Sequence, residues 1–171
     1  MPEAAILRHP AAETEAEPRP AYDLIELLFF AYRDFVGDPD RVLDQYGFGR
    51  AHHRVLHFVA RRPGLSIADL LEVLRITKQS LNRVLKELVD KGFVELRPGT
   101  ADRRQRLLFP TGTGRDLAGR LARMQSRRIA RALEADPSGQ TEAAAKRFLQ
   151  GLIEPADRSR IRAILAGPAE P

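Results

Sequence analysis

The chain has 171 residues, with 28 Lys and Arg against 23 Asp and Glu and 43% hydrophobic residues, which suits one or two folded domains and excludes a wholly disordered chain. It contains no cysteine, which excludes disulfides, thiol redox sensing and Cys-ligated zinc. No apolar run reaches the ~18 residues that span a bilayer, and the N-terminus lacks the basic-then-apolar order of a secretion signal, so a cytoplasmic protein with no membrane contact is expected.

Residues 1–20 hold four prolines and four glutamates without periodicity and read as a flexible tail. Tyr22 to Val36 reads as a helix that is apolar nearly all round, from Leu24, Ile25 and Leu27 to Phe35. Such a helix needs cover on more than one side, part of it from a second subunit. Gly37 is expected to break it, and Asp38-Pro39 to cap a short helical piece reaching about Tyr46. After the Gly47-Phe48-Gly49 loop, Arg50 to Arg61 forms the next helix, stopped by Pro63-Gly64. Ser66 caps a further helix with Asp69 three residues on, a capping-box spacing. Its apolar stripe is Ile67, Leu70, Leu71 and Leu74.

A turn at Arg75-Ile76 leads to Thr77, the expected N-cap of the most informative helix in the chain. Leu81, Val84, Leu85, Leu88 and Val89 recur at i, i+3, i+4, i+7, i+8, one buried stripe. The opposite face carries Gln79, Asn82, Arg83 and Lys86, side chains suited to base edges and phosphates, with Thr77, Lys78 and Ser80 at its start. Gly92 closes the helix. Phe93 to Leu96 and Arg106 to Phe109 read as two strands of a hairpin whose turn and return carry Arg103, Arg104 and Arg106. From Arg75 to Arg106 nine basic residues face four acidic ones, an excess equal to the net +5 of the whole chain. The charge is concentrated where the helix and hairpin are, which points to a polyanionic partner, double-stranded DNA.

Thr111 starts a long helix to about Ala135, with an apolar side at Leu117, Leu121, Met124, Ile129 and Leu133. Its arginine row, from Arg115 to Arg131, reads as a solvated face in preference to extra phosphate contact. Thr141 to Ile153 and Ala156 to Leu165 are the last helices, apolar on one side and expected to pack with the first helix within or between subunits.

This order of motifs resembles the MarR family of bacterial transcription regulators. Leu65-Ser66-Ile67-Ala68-Asp69-Leu70 is similar to the family's first helix-turn-helix helix. Thr77 to Val94 is similar to its recognition helix with the Leu-x-x-x-Gly-Phe-Val ending. Asp102-Arg103-Arg104 is similar to its Asp-x-Arg wing tip, followed by the Thr-x-x-Gly start at Thr111 and Gly114. Pro110 departs from the leucine usual there and predicts a shortened second wing strand. The resemblance implies that Asp102 braces Arg104 for entry into the minor groove. It implies an obligate homodimer on a pseudo-palindromic operator, with release from DNA by a small, often aromatic, acid.

The expected fold is mainly α with a small two-stranded β wing. Its parts are the tail (1–20), N-terminal dimerisation helices (21–49), a winged helix-turn-helix domain (50–110), and a connecting helix with C-terminal dimerisation helices (111–171). His53 and His57 lie at i, i+4 and share a face, but two ligands do not make a metal site and no motif places a third. They are read as ordinary hydrogen-bonded histidines, or as lining an effector pocket with Tyr32, Phe35 and Phe58, aromatics whose spacing also suits plain core. No phosphate loop, nucleophile motif or distinctive carboxylate pair supports an enzyme, and no cofactor is expected. The reading is a DNA-binding transcriptional regulator, in particular a repressor released by an effector. The alternative is a winged-helix module that contacts only proteins.

Overall fold

The computed structural model describes residues 19–99, 103–134 and 138–165. Helix α1 spans Tyr22–Asp44 without interruption. The break expected at Gly37 and the fresh cap at Asp38-Pro39 are not there. Proline inside a helix costs about 3 kcal/mol. Val36, Pro39, Val42 and Leu43 are all buried on the same side, and each buried aliphatic side chain contributes roughly 1.5–3 kcal/mol. Packing therefore outweighs local propensity.

Helix α2 (Arg50–Arg61) buries Val55, Leu56 and Val59 completely. Next come strand β1 (Leu65–Ser66), α3 (Ile67–Leu74), α4 (Lys78–Asp90), β2 (Val94–Pro98) and β3 (Arg106–Pro110). Helices α5 (Gly112–Leu133), α6 (Gln140–Gly151) and α7 (Arg158–Leu165) complete the chain, with a 3-10 turn at Pro155–Asp157. The buried side of α2 lies at the centre, packed against α1, α3, α4, α5 and β3. The Ser66 capping box forms as expected, with Asp69 N donating to Ser66 Oγ and Ser66 N donating to the Asp69 carboxylate, each at 3.1 Å.

The sheet has three antiparallel strands in the order β1-β3-β2, one more than the expected two-stranded wing. Leu65 pairs with Leu108 and Ser66 with Leu107, so Leu65 belongs to the sheet and not to the helix it precedes. Two residues are too short to show a period, which is why only the Ser66 cap is legible there. Pro110 does not shorten β3. Thr111 N donates to Phe93 O at 3.1 Å, so the adjacent Val94–Pro110 pair occupies a non-hydrogen-bonded position, and the proline nitrogen faces away from β2.

Thr111 caps α5, its Oγ1 accepting from Gly114 N at 3.0 Å and donating to Gly92 O at 2.7 Å. Gly114 packs directly on the backbone that enters β2, where an added Cβ would lie 2.0 Å from Phe93 O. Within the chain, α7 is tied to the end of α2 and to α3 by polar contacts. Arg62 donates to Ala163 O and Ile164 O at 2.8 and 2.7 Å, and Arg160 pairs with Glu72.

Gly114→Ala should destabilise the fold by about 1–3 kcal/mol, because backbone must move to admit the methyl. Gly112→Ala, whose Cβ meets nothing, should be neutral or slightly stabilising. Urea unfolding of the two variants against the parent checks this, and equal midpoints would refute it.

Candidate nucleic-acid interface and ligand pocket

Helix α4 is held by its ends and its inner face. Thr77 Oγ1 accepts from Ser80 N at 3.1 Å and donates to Ser80 Oγ at 2.9 Å, so these two hydroxyls also build the cap. At the other end Gly92 adopts φ +74. Phe93 N donates to Leu88 O at 2.8 Å and Gly92 N to Val89 O at 2.9 Å, the paired bonds of a Schellman ending. Leu81, Val84, Leu85 and Leu88 are buried. With that stripe fixed inward, Thr77, Lys78, Gln79, Ser80, Asn82, Arg83 and Lys86 are all exposed. Lys86 forms an ion pair with Asp90 one turn on.

The hairpin closes through Gly99 N donating to Gln105 O at 2.9 Å. Arg103, Arg104 and Arg106 are exposed beside it. Asp102, expected to brace Arg104, lies outside the described residues, as do Thr100 and Ala101. Arg97 is occupied differently, lying over the Phe109 ring at 4.4 Å and pairing with Glu95.

One tie into this unit has no signature in the sequence. Arg75, in the turn between α3 and α4, takes φ +49, a left-handed conformation uncommon for a residue other than glycine. Its guanidinium donates to Asp157 Oδ1 at 2.6 Å, 82 residues away. Asp157 is buried and also holds Arg160. No periodicity links residues so distant.

A pocket of about 280 Å³ opens between α1, α2 and α5. Its lining includes all five residues expected for an effector site, Tyr32, Phe35, His53, His57 and Phe58. It adds Arg50 and Arg54, whose i, i+4 spacing on α2 parallels that of the two histidines and was the available signal. Tyr32 is exposed with the Arg50 guanidinium 5.6 Å from its ring centre, so it is not core in this chain. Burial pushes His53 below its ordinary value, helped by His57 and opposed by Asp40. Burial pushes His57 down as well, with Arg61 adding to the effect. His52 is bonded elsewhere. Gly49 N donates to its Nδ1 at 3.1 Å, which leaves the proton on Nε2 to bond Glu87 of α4 at 3.0 Å. Among the described residues no cluster of three His, Cys, Asp or Glu is placed to hold a metal, and no helix is long and apolar enough to cross a membrane.

A short helix pair with a capped, polar-faced second member, followed by a basic hairpin in a three-stranded sheet, defines a winged helix-turn-helix protein. A sequence profile of the MarR family matches residues 46–105. The chain is 48% identical over 134 residues to the HTH-type transcriptional regulator PetP of Rhodobacter capsulatus, covering 78% of this chain and 80% of that protein. The fold matches the crystal structure of a MarR family transcription regulator with TM-score 0.64 at 20% identity, over 85% of this chain and 91% of that one. It also matches the reduced form of MarR from E. coli with TM-score 0.59 at 24% identity, over 78% and 99% of the two chains. The chain belongs to the MarR family of DNA-binding transcription regulators.

The histidine environments set a pH dependence. Both folded values lie below the unfolded value of about 6.5, so the unfolded chain binds more protons as pH falls through that range. The stability is therefore present above pH ~6.5 and is lost as pH drops toward the folded values. Chemical unfolding between pH 7.5 and 5 should show this fall. His53→Gln should flatten it, and an unchanged slope in that variant would refute the assignment.

Proposed function

We propose that this chain is a sequence-specific repressor that binds a pseudo-palindromic operator as a homodimer and is released by a small aromatic or acidic effector. The observation that carries the DNA reading is the exposed row Thr77, Lys78, Gln79, Ser80, Asn82, Arg83 and Lys86 on a helix whose other face is buried. A helix of that width fits the major groove, and amide and guanidinium groups there can make bidentate bonds with base edges. Arg103, Arg104 and Arg106 then reach the backbone and the adjacent minor groove, whose negative potential suits a cation. Asp102 is the proposed brace for Arg104. A DNA target places the protein in the cytoplasm. We assign no catalytic role to any residue.

The dimer reading rests on uncovered apolar surface. Leu27 and Phe29 on α1 are 61% and 69% exposed, and Tyr22, Phe30 and Tyr32 exceed half. On α6, Phe148 and Leu149 are exposed and no residue is buried. Exposed apolar side chains in that number on α1 and α6 point to an interface. It gives the segments 21–49 and 111–171 their dimerising role and leaves 50–110 to DNA. The α1–α2–α5 pocket, apolar in its walls with Arg50 and Arg54 at hand, is the proposed effector site.

The test is binding to DNA from around the protein's own gene and to scrambled DNA, across a salt series. Arg83→Ala should cost about 1–3 kcal/mol on the operator and little on scrambled DNA. Arg104→Ala should weaken both and reduce the salt slope by about one counterion. If the chain retards neither DNA at low salt, a winged helix used only for protein contacts replaces this reading.

The double variant Leu27→Glu/Phe29→Glu should sediment as a monomer and lose most operator affinity, since two half-sites then no longer share one protein. A fully dimeric double variant would exclude α1 from the interface.

A further inference from the structure

Helix α7 is fastened to the helix-turn-helix region at both of its ends. At the far end, Arg62, just past α2, donates to the carbonyls of Ala163 and Ile164 at 2.8 and 2.7 Å. At the near end stands the carboxylate of Asp157, in the 3-10 turn that leads into the helix. Arg158 fixes that turn against the end of α6, donating to Ile153 O at 2.9 Å and to Gly151 O at 3.0 Å. Asp157 is 7% exposed, and its Oδ1 accepts from Arg160 at 2.5 Å and from Arg75 at 2.6 Å. Arg160 in turn pairs with Glu72 of α3. Arg75 supplies a second observation. It closes α3 with φ +49 and ψ +46, a left-handed conformation that glycine adopts freely and a residue with a Cβ adopts at a cost. Glycine is the usual residue at such a helix ending. The side chain that stands there instead is the one that Asp157 holds.

We propose that Asp157 is a positioning residue for DNA recognition, holding Arg75 and through it the angle at which α4 leaves α3. Only Arg75, Ile76 and Thr77 separate the two helices. The Arg75 backbone is a fixed part of that turn, its N–H donating to Leu71 O at 2.9 Å. The Arg75 side chain is 62% exposed, and an arginine in that setting is free to sample many rotamers unless something holds it. A buried carboxylate holds it firmly, because a buried charge without its partners is costly. α4 is 13 residues long, about 20 Å. A swing at its first turn would therefore carry Gln79, Asn82 and Arg83 out of line with base edges, to which hydrogen bonds are directional. Contacts to phosphate carry no sequence information and depend chiefly on charge. The proposal rests on the reading of α4 as the helix that meets base edges.

The experiment measures Asp157→Asn, Asp157→Glu and Arg75→Gly, each in the full chain, on DNA from around the protein's own gene and on scrambled DNA. Asp157→Asn keeps the shape of the side chain and removes its charge. It should weaken operator binding about tenfold, the worth of one charge-assisted pair. Scrambled DNA should be bound as tightly as before or tighter, because the variant is one charge more positive. A change in net charge alone would tighten both DNAs, and a general loss of fold would weaken both; either result overturns the proposal. Asp157→Glu, which retains the carboxylate, should keep most of the parent affinity. Arg75→Gly keeps the left-handed turn and loses the guanidinium. Adding Asp157→Asn to it should cost nothing further, since the two residues act through one bond, and additive losses would count against that bond. A second readout needs no DNA. In Asp157→Asn the amides of Arg75, Ser80 and Leu81, bonded to Leu71 O, Thr77 Oγ1 and Thr77 O, should exchange about tenfold faster, while those of α2 stay unchanged. Faster exchange in a chain that binds no DNA would sink the reading of α4 and leave the tie standing. Unchanged exchange would sink the tie whatever the DNA result.

Discussion

The burial of Val55, Leu56 and Val59 on α2 sets the positions of the other elements. These three side chains lose all contact with water, and the helix that carries them meets α1, α3, α4, α5 and β3. At roughly 1.5–3 kcal/mol for each fully buried aliphatic side chain, they outweigh any surface ion pair in the molecule. Fixing one stripe of α2 also fixes the other stripe. His53, His57, Arg50 and Arg54 are turned away from it together, and the pocket is built against them. The same helix reaches across to α4 through the His52–Glu87 bond, which adds an orientation to what packing alone would leave as a distance.

Helix α4 obeys a related logic at smaller scale. Its polar row is exposed because Leu81, Val84, Leu85 and Leu88 cannot be, and its two ends are closed by Thr77 and Gly92. None of Gln79, Asn82 or Arg83 needs a protein partner to be held in place. Their hydrogen-bonding groups therefore face outward from a helix fixed by its other side.

What is legible in the sequence follows from what periodicity and caps can encode. The stripe on α4, the Ser66 capping box, the Gly92 ending and the Thr111–Gly114 helix start are all local patterns, and each appears in the structure. The Pro39 region misleads for the converse reason. Its signals are local and strong, but buried neighbours on the same side of α1 decide the outcome. β1 is invisible because two residues carry no period, and its partner lies more than forty residues away. The candidate pocket is legible as residue types at helical spacing, a signal Arg50 and Arg54 share, whereas the Arg75–Asp157 tie emerges only when the chain is folded. Tyr32 shows the limit of composition: an aromatic on an apolar helix reads as core, yet it is more than half exposed.

The close approach of Gly114 to Phe93 O has a mechanical side. Thr111 and Gly114 weld the first turn of α5 to the backbone at the root of the hairpin, leaving no room for a side chain or a water between them. α5 then runs 22 residues away from that joint, about 33 Å at the rise of an α-helix. The helix is a lever and the joint its fulcrum. A tilt of about 5° at the joint would displace the far end of such a rod by roughly 3 Å, and the packing of α5 against α1 and α2 is what holds that tilt fixed. Glycine at one position thereby sets the angle at which a long helix leaves the root of the hairpin, and the length of the rod sets how far any error in that angle is magnified.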